Sequence, residues 1–576
     1  MEQRKLVPAV SLFLLVGVAL GIVAVVRRTN DQASDTTGNK SRLSIHSKAV
    51  TAMCQNSDDQ RLCLDTLNSV NNTDPKEYIS TILKTSMESV IMAFNMSDRL
   101  TLEHGNSTPG VKMALDDCKD LLQFAIGELQ ASNLVVQDNT LNNINDRVDD
   151  LKNWLGAVFA YQQSCLDGFH TDGEKQVQSQ LQTGSLDQVG KLTGLALDVV
   201  SAVAQVLSNF DLNFIVKPSS RRLFEVDKNG YPGWFSVRDR KLLGDVSQGA
   251  SITPNAVVAK DGSGQFKTVL DAINAYPKNN QGRYVIYVKA GIYDEYITVN
   301  KHKKNILMYG DGPDKTIITG SKNFVDGWKT MRTATFATVA EDFVAKSIAF
   351  ENTAGASKHQ AVALRVQGDR SAFFDCAIRG YQDTLYAHAH RQFYCNCEIS
   401  GTVDFIFGYS STLVQNSKII IRKPEPNQQN IVVADGTPQK NMPTGVVLQN
   451  CVILPEAELV PMKLTVKSYL ARPWKAYSRA IFMENEIGDL IQPDGYLPWS
   501  GNMYLDTCFF AEYGNTGPGA NVRSRVKWGH GVLSKNDAVQ YTAEHWIQGS
   551  QWLPSTSIPF DPAFTVLKDD EMVIKG

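Results

Sequence analysis

The chain has 576 residues, 43% of them hydrophobic and 20% charged, which excludes a disordered polymer and a single ordinary core and calls for two or more domains. Its formal net charge of −3 gives no electrostatic case for a nucleic-acid partner or a strongly acidic one. Nine cysteines, an odd number and without paired CxxC spacing, do not describe a zinc site.

Residues 1–28 hold an uncharged run, Leu6–Val26, followed by Arg27 and Arg28. At about 1.5 Å per residue its 21 residues span a bilayer core of about 30 Å. The segment therefore reads as a signal segment or an uncleaved signal-anchor, which puts the precursor at a membrane and on the secretory route. Four glycosylation sequons, at Asn39, Asn71, Asn95 and Asn106, agree with export. Residues 29–44 are a polar stalk. Over 45–210, apolar residues recur at three- and four-residue intervals, as in TILKTSMESVIMAFNM, and predict an all-α four-helix bundle. Within it Cys54–Cys63 closes an N-terminal hairpin and Cys118–Cys165 ties two helices. The bundle has no concentrated acid, His or Cys site and reads as a structural or binding module. Residues 211–250 form a linker broken by Pro218, Gly230, Pro232 and Gly233. Two basic tetrads there, beginning Arg221-Arg222 and Arg240-Lys241, are candidate sites for a processing protease.

From residue 251 to 576 the period changes. Short runs such as RYVIYVKAG, SAFFDCAIRG, RQFYCNCEISG and STLVQNSKIIIR recur about every 20 residues, with no amphipathic helices between them. This predicts an all-β right-handed parallel β-helix, which buries its core by stacking coils and needs capped ends. The segment Thr542–Trp552 is expected to supply one helical cap. Two acids, Asp383 and Asp404, lie 21 residues apart, and Gln360, Gln382 and Asp404 recur at intervals of 22. A coil of about 22 residues would stack those last three at roughly 4.8 Å per turn. Gln382 and Asp383 are neighbours, which a regular strand sends to opposite faces, so serving one cleft together requires the chain to bend there.

Several chemistries are missing. No G-x-S-x-G elbow, phosphate loop or dinucleotide fingerprint is present. His388 and His390 lack a third ligand and are expected to form a solvent-facing pair on one strand face. What remains is carboxylates, amides and arginine. Two carboxylates on adjacent coils titrate together, leaving an ionised nucleophile and a protonated acid. Gln amides can donate to an oxyanion. An Arg holds the nucleophile ionised, and Arg472-Pro473-Trp474 offers one beside an aromatic face.

With GIYDEY (291–296), QAVALR (360–365), GYQDTLY (380–386), DFIFG (404–408) and YLARPWK (469–475), the region 250–570 closely resembles the plant pectin methylesterases, in motif order and spacing. The bundle resembles the inhibitor-like pro-region of such proenzymes, including its two-disulfide pattern, and the tetrads resemble their processing sites. The resemblance implies removal of methyl esters from cell-wall pectin, giving methanol. It implies Asp404 as nucleophile, Asp383 as proton donor and then base, Gln382 as main oxyanion donor with Gln360 assisting, and Arg472 orienting Asp404. Thr330, Gln360, Arg472 and Trp474 would contact substrate, with no metal or other cofactor. The implied partners are methyl-esterified pectin, a processing protease and inhibitor proteins, in the cell wall or extracellular space.

Three departures stand out. Ala471 replaces the glycine usual before the arginine, and would strain the turn if that position needed φ > 0. Ser417 replaces the cysteine that usually pairs with the one matching Cys397. Cys395, two residues from Cys397, is expected on the same strand face. A galacturonase would carry clustered Asp with Gly-His-Gly and a lyase a calcium-binding acidic cluster, and neither is visible. The rival from another class is a catalytically silent wall protein that binds pectin.

Overall fold

The computed structural model describes residues 47–209, apart from 48–49, 52, 56, 71, 73, 105–107 and 139–145, and residues 253–565. They form two compact units, one on each side of the linker. The run Leu6–Val26, both basic tetrads and Asn39, Asn71 and Asn106 lie outside the described residues. Among those described, no helix is long and apolar enough to cross a membrane.

In the first unit the long helices Pro75–Glu103, Pro109–Asp138, Val148–Asp167 and Asp187–Asn209 pack in a closed ring. Their starts follow local rules: Asp74 accepts from Lys76 N ahead of Pro75, and Thr171 with Glu174 forms a capping box on the short helix Asp172–Leu181. Disulfides join Cys54 to Cys63 and Cys118 to Cys165, the latter between two long helices. Asn95 is exposed on the first of these.

The second unit is a parallel β-helix of three sheets with eleven, eight and seven strands. Its interior is a continuous apolar column in which Phe336, Phe343, Phe350, Phe373 and Tyr394 pack ring to ring from coil to coil. The helix Val269–Asn274 buries Val269, Ala272 and Ile273 against the first coil. The segment Thr542–Trp552 does not cap an end. Its two short helices lie along the outer face of the eleven-stranded sheet, burying Ile547, Trp552 and Leu553 against Phe393, Leu413, Val447 and Ile481. Trp546 Nε1 donates to Thr412 O at 3.1 Å. The reason is composition: that outer face is itself apolar and would otherwise be wet.

Three of the runs read as one strand prove to be two. Ser371–Phe374 and Ala377–Arg379 flank Asp375; Arg391–Cys395 and Glu398–Gly401 flank Asn396; Ser411–Gln415 and Lys418–Ile421 flank Asn416. Ser347, Asp375, Asn396, Asn416, Asn450 and Glu484 all have φ between +52° and +56°. At this corner of six coils one left-handed residue turns the chain from the eleven-stranded sheet into the eight-stranded one, a conformation that Asn and Asp tolerate best among non-glycines. Asn396 accordingly separates the thiols expected on one face. Cys395 joins the outer cluster and Cys397 the interior column. Cys376, Cys395, Cys397, Cys451 and Cys508 are free. Ser417 Oγ instead accepts from Cys397 N at 3.0 Å.

Candidate active site

The seven-stranded sheet positions the acids. Its strands Leu364–Val366, Leu385–Ala387 and Ile406–Gly408 pair Leu364 with Leu385 and Leu385 with Ile406, a repeat of 21 residues rather than 22. Asp383 and Asp404 each stand two residues before their strand and are therefore stacked on adjacent coils, about 4.8 Å apart along the solenoid. The expected ladder of Gln360, Gln382 and Asp404 does not form, because Gln382 sits one residue and Gln360 two residues out of that register. Gln382 O instead accepts from Ala361 N at 3.1 Å.

Both acids are left-handed, with φ of 61° at Asp383 and 51° at Asp404. This is the bend that lets Gln382 and Asp383 share a corner, since a left-handed residue breaks the alternation of a strand. The two carboxylates are 8% and 6% exposed. Burial, then the adjacent Asp404 carboxylate, pushes the Asp383 carboxyl well above the usual carboxylate range, and Arg472 offsets only part of this. Asp404 is gripped from both sides: Arg472 Nε donates to Oδ1 at 2.7 Å, and Nη2 donates to Oδ2. Of two stacked acids, one is thus paired with a guanidinium and the other is pushed toward its neutral form.

Arg472 follows the strand Ser468–Ala471, and its N–H donates to Val433 O at 3.0 Å. Ala471 pairs with Val433 in extended conformation and is fully buried in the core, so the feared strain is absent. The guanidinium lies 4.4 Å from the centre of the Trp499 ring. Sequence reasoning missed Trp499, because it comes from a separate loop and only the tertiary fold brings it to Arg472. Trp474 leans on Tyr409 and Phe407, with ring centroids 4.9 and 6.0 Å away. Gly436 makes this possible, since a Cβ there would fall 2.8 Å from the Trp474 ring. Tyr386 stacks on Phe407 at 4.4 Å from the next coil, extending an aromatic wall that the sequence also did not announce.

The side-chain amides of Gln360 and Gln382 are half-buried beside this corner. Thr330 opens a short turn, Thr330–Thr333, one coil before Gln360, and makes no contact with the acid pair. His388 and His390 are not solvent-facing. Their strand ends at Ala387, His388 is fully buried against Tyr386 at 4.5 Å, and His390 is left-handed and 5% exposed. Among the described residues no group of three His, Cys, Asp or Glu is arranged to hold a metal. Open amide donors, a neutral acid and an arginine-held carboxylate together can carry out acyl transfer from an ester.

Comparison with known proteins agrees with that chemistry. The family model described as Pectinesterase matches residues 255–550, and the one described as Plant invertase/pectin methylesterase inhibitor matches residues 48–199. The chain is similar to a probable pectinesterase/pectinesterase inhibitor 21 of Arabidopsis thaliana, 39% identical over 562 residues covering 97% of this chain and 82% of that one. Pectinesterase/pectinesterase inhibitor U1 of Solanum lycopersicum is 38% identical over 571 residues, covering 97% and 96%. Among solved structures, the pectin methylesterase from carrot superposes with a TM-score of 0.54 at 47% identity, over 55% of this chain and 99% of its own. The chain belongs to the pectinesterase family and carries, ahead of its esterase domain, a domain of the pectin methylesterase inhibitor family.

Proposed function

We propose that this chain hydrolyses the methyl esters of galacturonate units in pectin, with Asp404 as nucleophile and Asp383 as acid and then base. The observation that carries the reading is the stacked, buried pair in which Arg472 grips one carboxylate while the other is held neutral. Asp404 Oδ attacks the C6 carbonyl, and the oxyanion takes hydrogen bonds from the amides of Gln382 and Gln360. Collapse breaks the bond to the methoxy oxygen, which takes the Asp383 proton and leaves as methanol. The acyl-Asp404 anhydride is then hydrolysed by a water that gives one proton to Asp383; the uronic acid leaves and loses the other proton to solvent, which restores Asp404 as carboxylate and Asp383 as acid. Arg472 orients Asp404 and spreads its charge, Trp499 backs the guanidinium, and Trp474, backed by the buried Phe407 and Tyr386, gives a sugar-stacking face. Thr330 contacts substrate farther along the same side.

In the same reading residues 1–28 direct export and anchor the precursor in a membrane, and 29–44 form the stalk. The sequons carry glycans, and the esterase is released into the wall when a protease cuts the 211–250 linker at Arg221-Arg222 or Arg240-Lys241. The helical domain restrains the esterase until then. Methanol release from highly methylated pectin tests this, comparing the whole chain, residues 244–576, and the latter with Asp404→Asn. The fragment should be active, the whole chain less so, and the variant down on the order of 10⁴-fold or more. An inactive fragment would sink the esterase reading, and an active variant would sink the nucleophile.

A further inference from the structure

At the far N-terminal end of the seven-stranded sheet stands a second group of side chains that the reaction does not use. Tyr296 immediately precedes Ile297–Val299, the edge strand, much as the two acids precede theirs. The strand of Asp383 is three coils away and that of Asp404 four, or about 14 and 19 Å at the usual strand spacing. The Lys322 ammonium sits between two rings here, 4.0 Å from the centre of Tyr296 and 4.1 Å from that of Trp328.

The surroundings are built rather than incidental. Tyr296 Oη accepts from Ser321 N at 2.9 Å and from Lys322 N at 3.2 Å. Gly320 leaves room for the ring, since a Cβ there would fall 2.8 Å from it. Asn323, 2% exposed, fixes the loop that presents Trp328, donating to Ser321 O and Asp326 Oδ2 and accepting from Asp326 N. Asn352 Nδ2 donates to both Lys322 O at 2.8 Å and Val362 O at 3.1 Å, tying the box to the coil of Gln360. Phe324 N donates to Gln360 O itself.

Charge makes the box selective. The nearby acids are engaged elsewhere: Asp326 with Lys358 at 2.6 Å, Glu351 with Arg379 at 3.2 Å, and Glu295 with Val269 N and Leu270 N. Among the described residues no carboxylate pairs with Lys322. An ammonium held between two ring faces keeps donors for one more anionic partner. A methyl-esterified uronate offers it no charge, and a hydrolysed one does.

We infer that the Tyr296–Lys322–Trp328 box is a distal subsite for a uronate unit that has already lost its methyl ester. This rests on the esterase reading and names which part of the polymer the cleft prefers. A chain lying along the coils with a free acid at Lys322 presents to Asp404 an ester several units away.

Two measurements on the chain with Lys322→Gln and Lys322→Arg test the subsite. In the first, oligogalacturonate without any ester is titrated in, which needs no turnover. Lys322→Gln should weaken binding on the order of tenfold, with most of the difference lost at high salt, and Lys322→Arg should retain it. In the second, KM is compared on fully and half-methylated pectin. Lys322→Gln should raise KM several-fold on the half-methylated polymer and leave kcat, and the fully methylated KM, unchanged. Equal KM changes on both substrates, or unchanged oligogalacturonate binding, would overturn the subsite. Absence of turnover in the wild type with binding still lost in Lys322→Gln would overturn the esterase reading alone.

Discussion

Of the rows of left-handed residues along this solenoid, two differ instructively, and only one of them stacks buried acids. The first row, Ser347, Asp375, Asn396, Asn416, Asn450 and Glu484, turns six coils from the eleven-stranded sheet to the eight-stranded one. Its members satisfy each other. Ser347 Oγ donates to Asp375 Oδ2 at 2.7 Å and Asn450 Nδ2 to Asn416 Oδ1 at 2.8 Å, while Asn396 and Asn450 are exposed. The second row holds Asp383 and Asp404 with the same backbone conformation. Here two acids are stacked and buried, and Arg472 binds only Asp404. An amide between two carboxylates makes a quiet ladder; a second carboxylate in its place, out of water, is pushed toward its neutral form. The backbone thus supplies the position, and the missing amide supplies the altered acidity.

The sharpest break of this contrast is Asp383→Asn, which turns the active row into the quiet one. Methanol release should fall on the order of 10²- to 10⁴-fold, with circular dichroism unchanged. Stability should move the other way. Because the folded-state pKa of Asp383 is raised, the unfolded chain loses this proton first as pH climbs above about 4, and the wild type loses stability over that interval. Chemical denaturation should show Asp383→Asn gaining on the wild type between pH 4 and 7; parallel curves would refute the neutral acid.

Asp435 lies between the two cases. Fully buried at the end of Asn430–Asp435, it accepts on Oδ2 from Thr437 N at 3.1 Å and Arg479 N at 2.8 Å, while Oδ1 has no partner. Burial pushes its carboxyl up to about 6, against hydrogen bonds that pull it down. The same sign applies over a window that closes near pH 6. Asp435 by itself should cost the wild type at most about 3 kcal/mol as pH rises from 4 to 6, in addition to the loss that Asp383 causes. Asp435→Asn should remove that share while leaving kcat intact, since Asp435 touches neither acid. A slope between pH 4 and 6 as steep in the variant as in the wild type would assign the titration elsewhere.

The smallest expected effect comes from Asn396→Asp, which places a second carboxylate beside Asp375 in the quiet row. Exposure screens the pair, so unfolding should shift by less than about 1 kcal/mol and activity not at all. A large pKa rise for either acid by NMR titration would mean that stacking alone, without burial, creates the proton donor.

Much of the molecule was legible from residue order. The 3.6-residue period marked the bundle, and closely spaced Val, Ile and Phe runs marked the solenoid, because burial of apolar side chains leaves periodic traces. Asp383, Asp404 and Arg472 could be singled out because they stand in GYQDTLY, DFIFG and YLARPWK, motifs that resemble those of the pectin methylesterases. Tertiary structure decided the rest. A repeat of 21 rather than 22 residues stacks acid on acid, since register is set by pairing between coils rather than by the interval between like residues. Left-handed Asn and Asp split single runs into two strands and sent Cys395 and Cys397 into different cores. Trp499 reached Arg472, and Lys322 found its two rings, only because long-range loops close over the sheet. Sequence alone determined which chemical groups were available, because side-chain identity is local. Their protonation and partners depended on burial and on neighbours from distant coils, and those exist only in the folded chain.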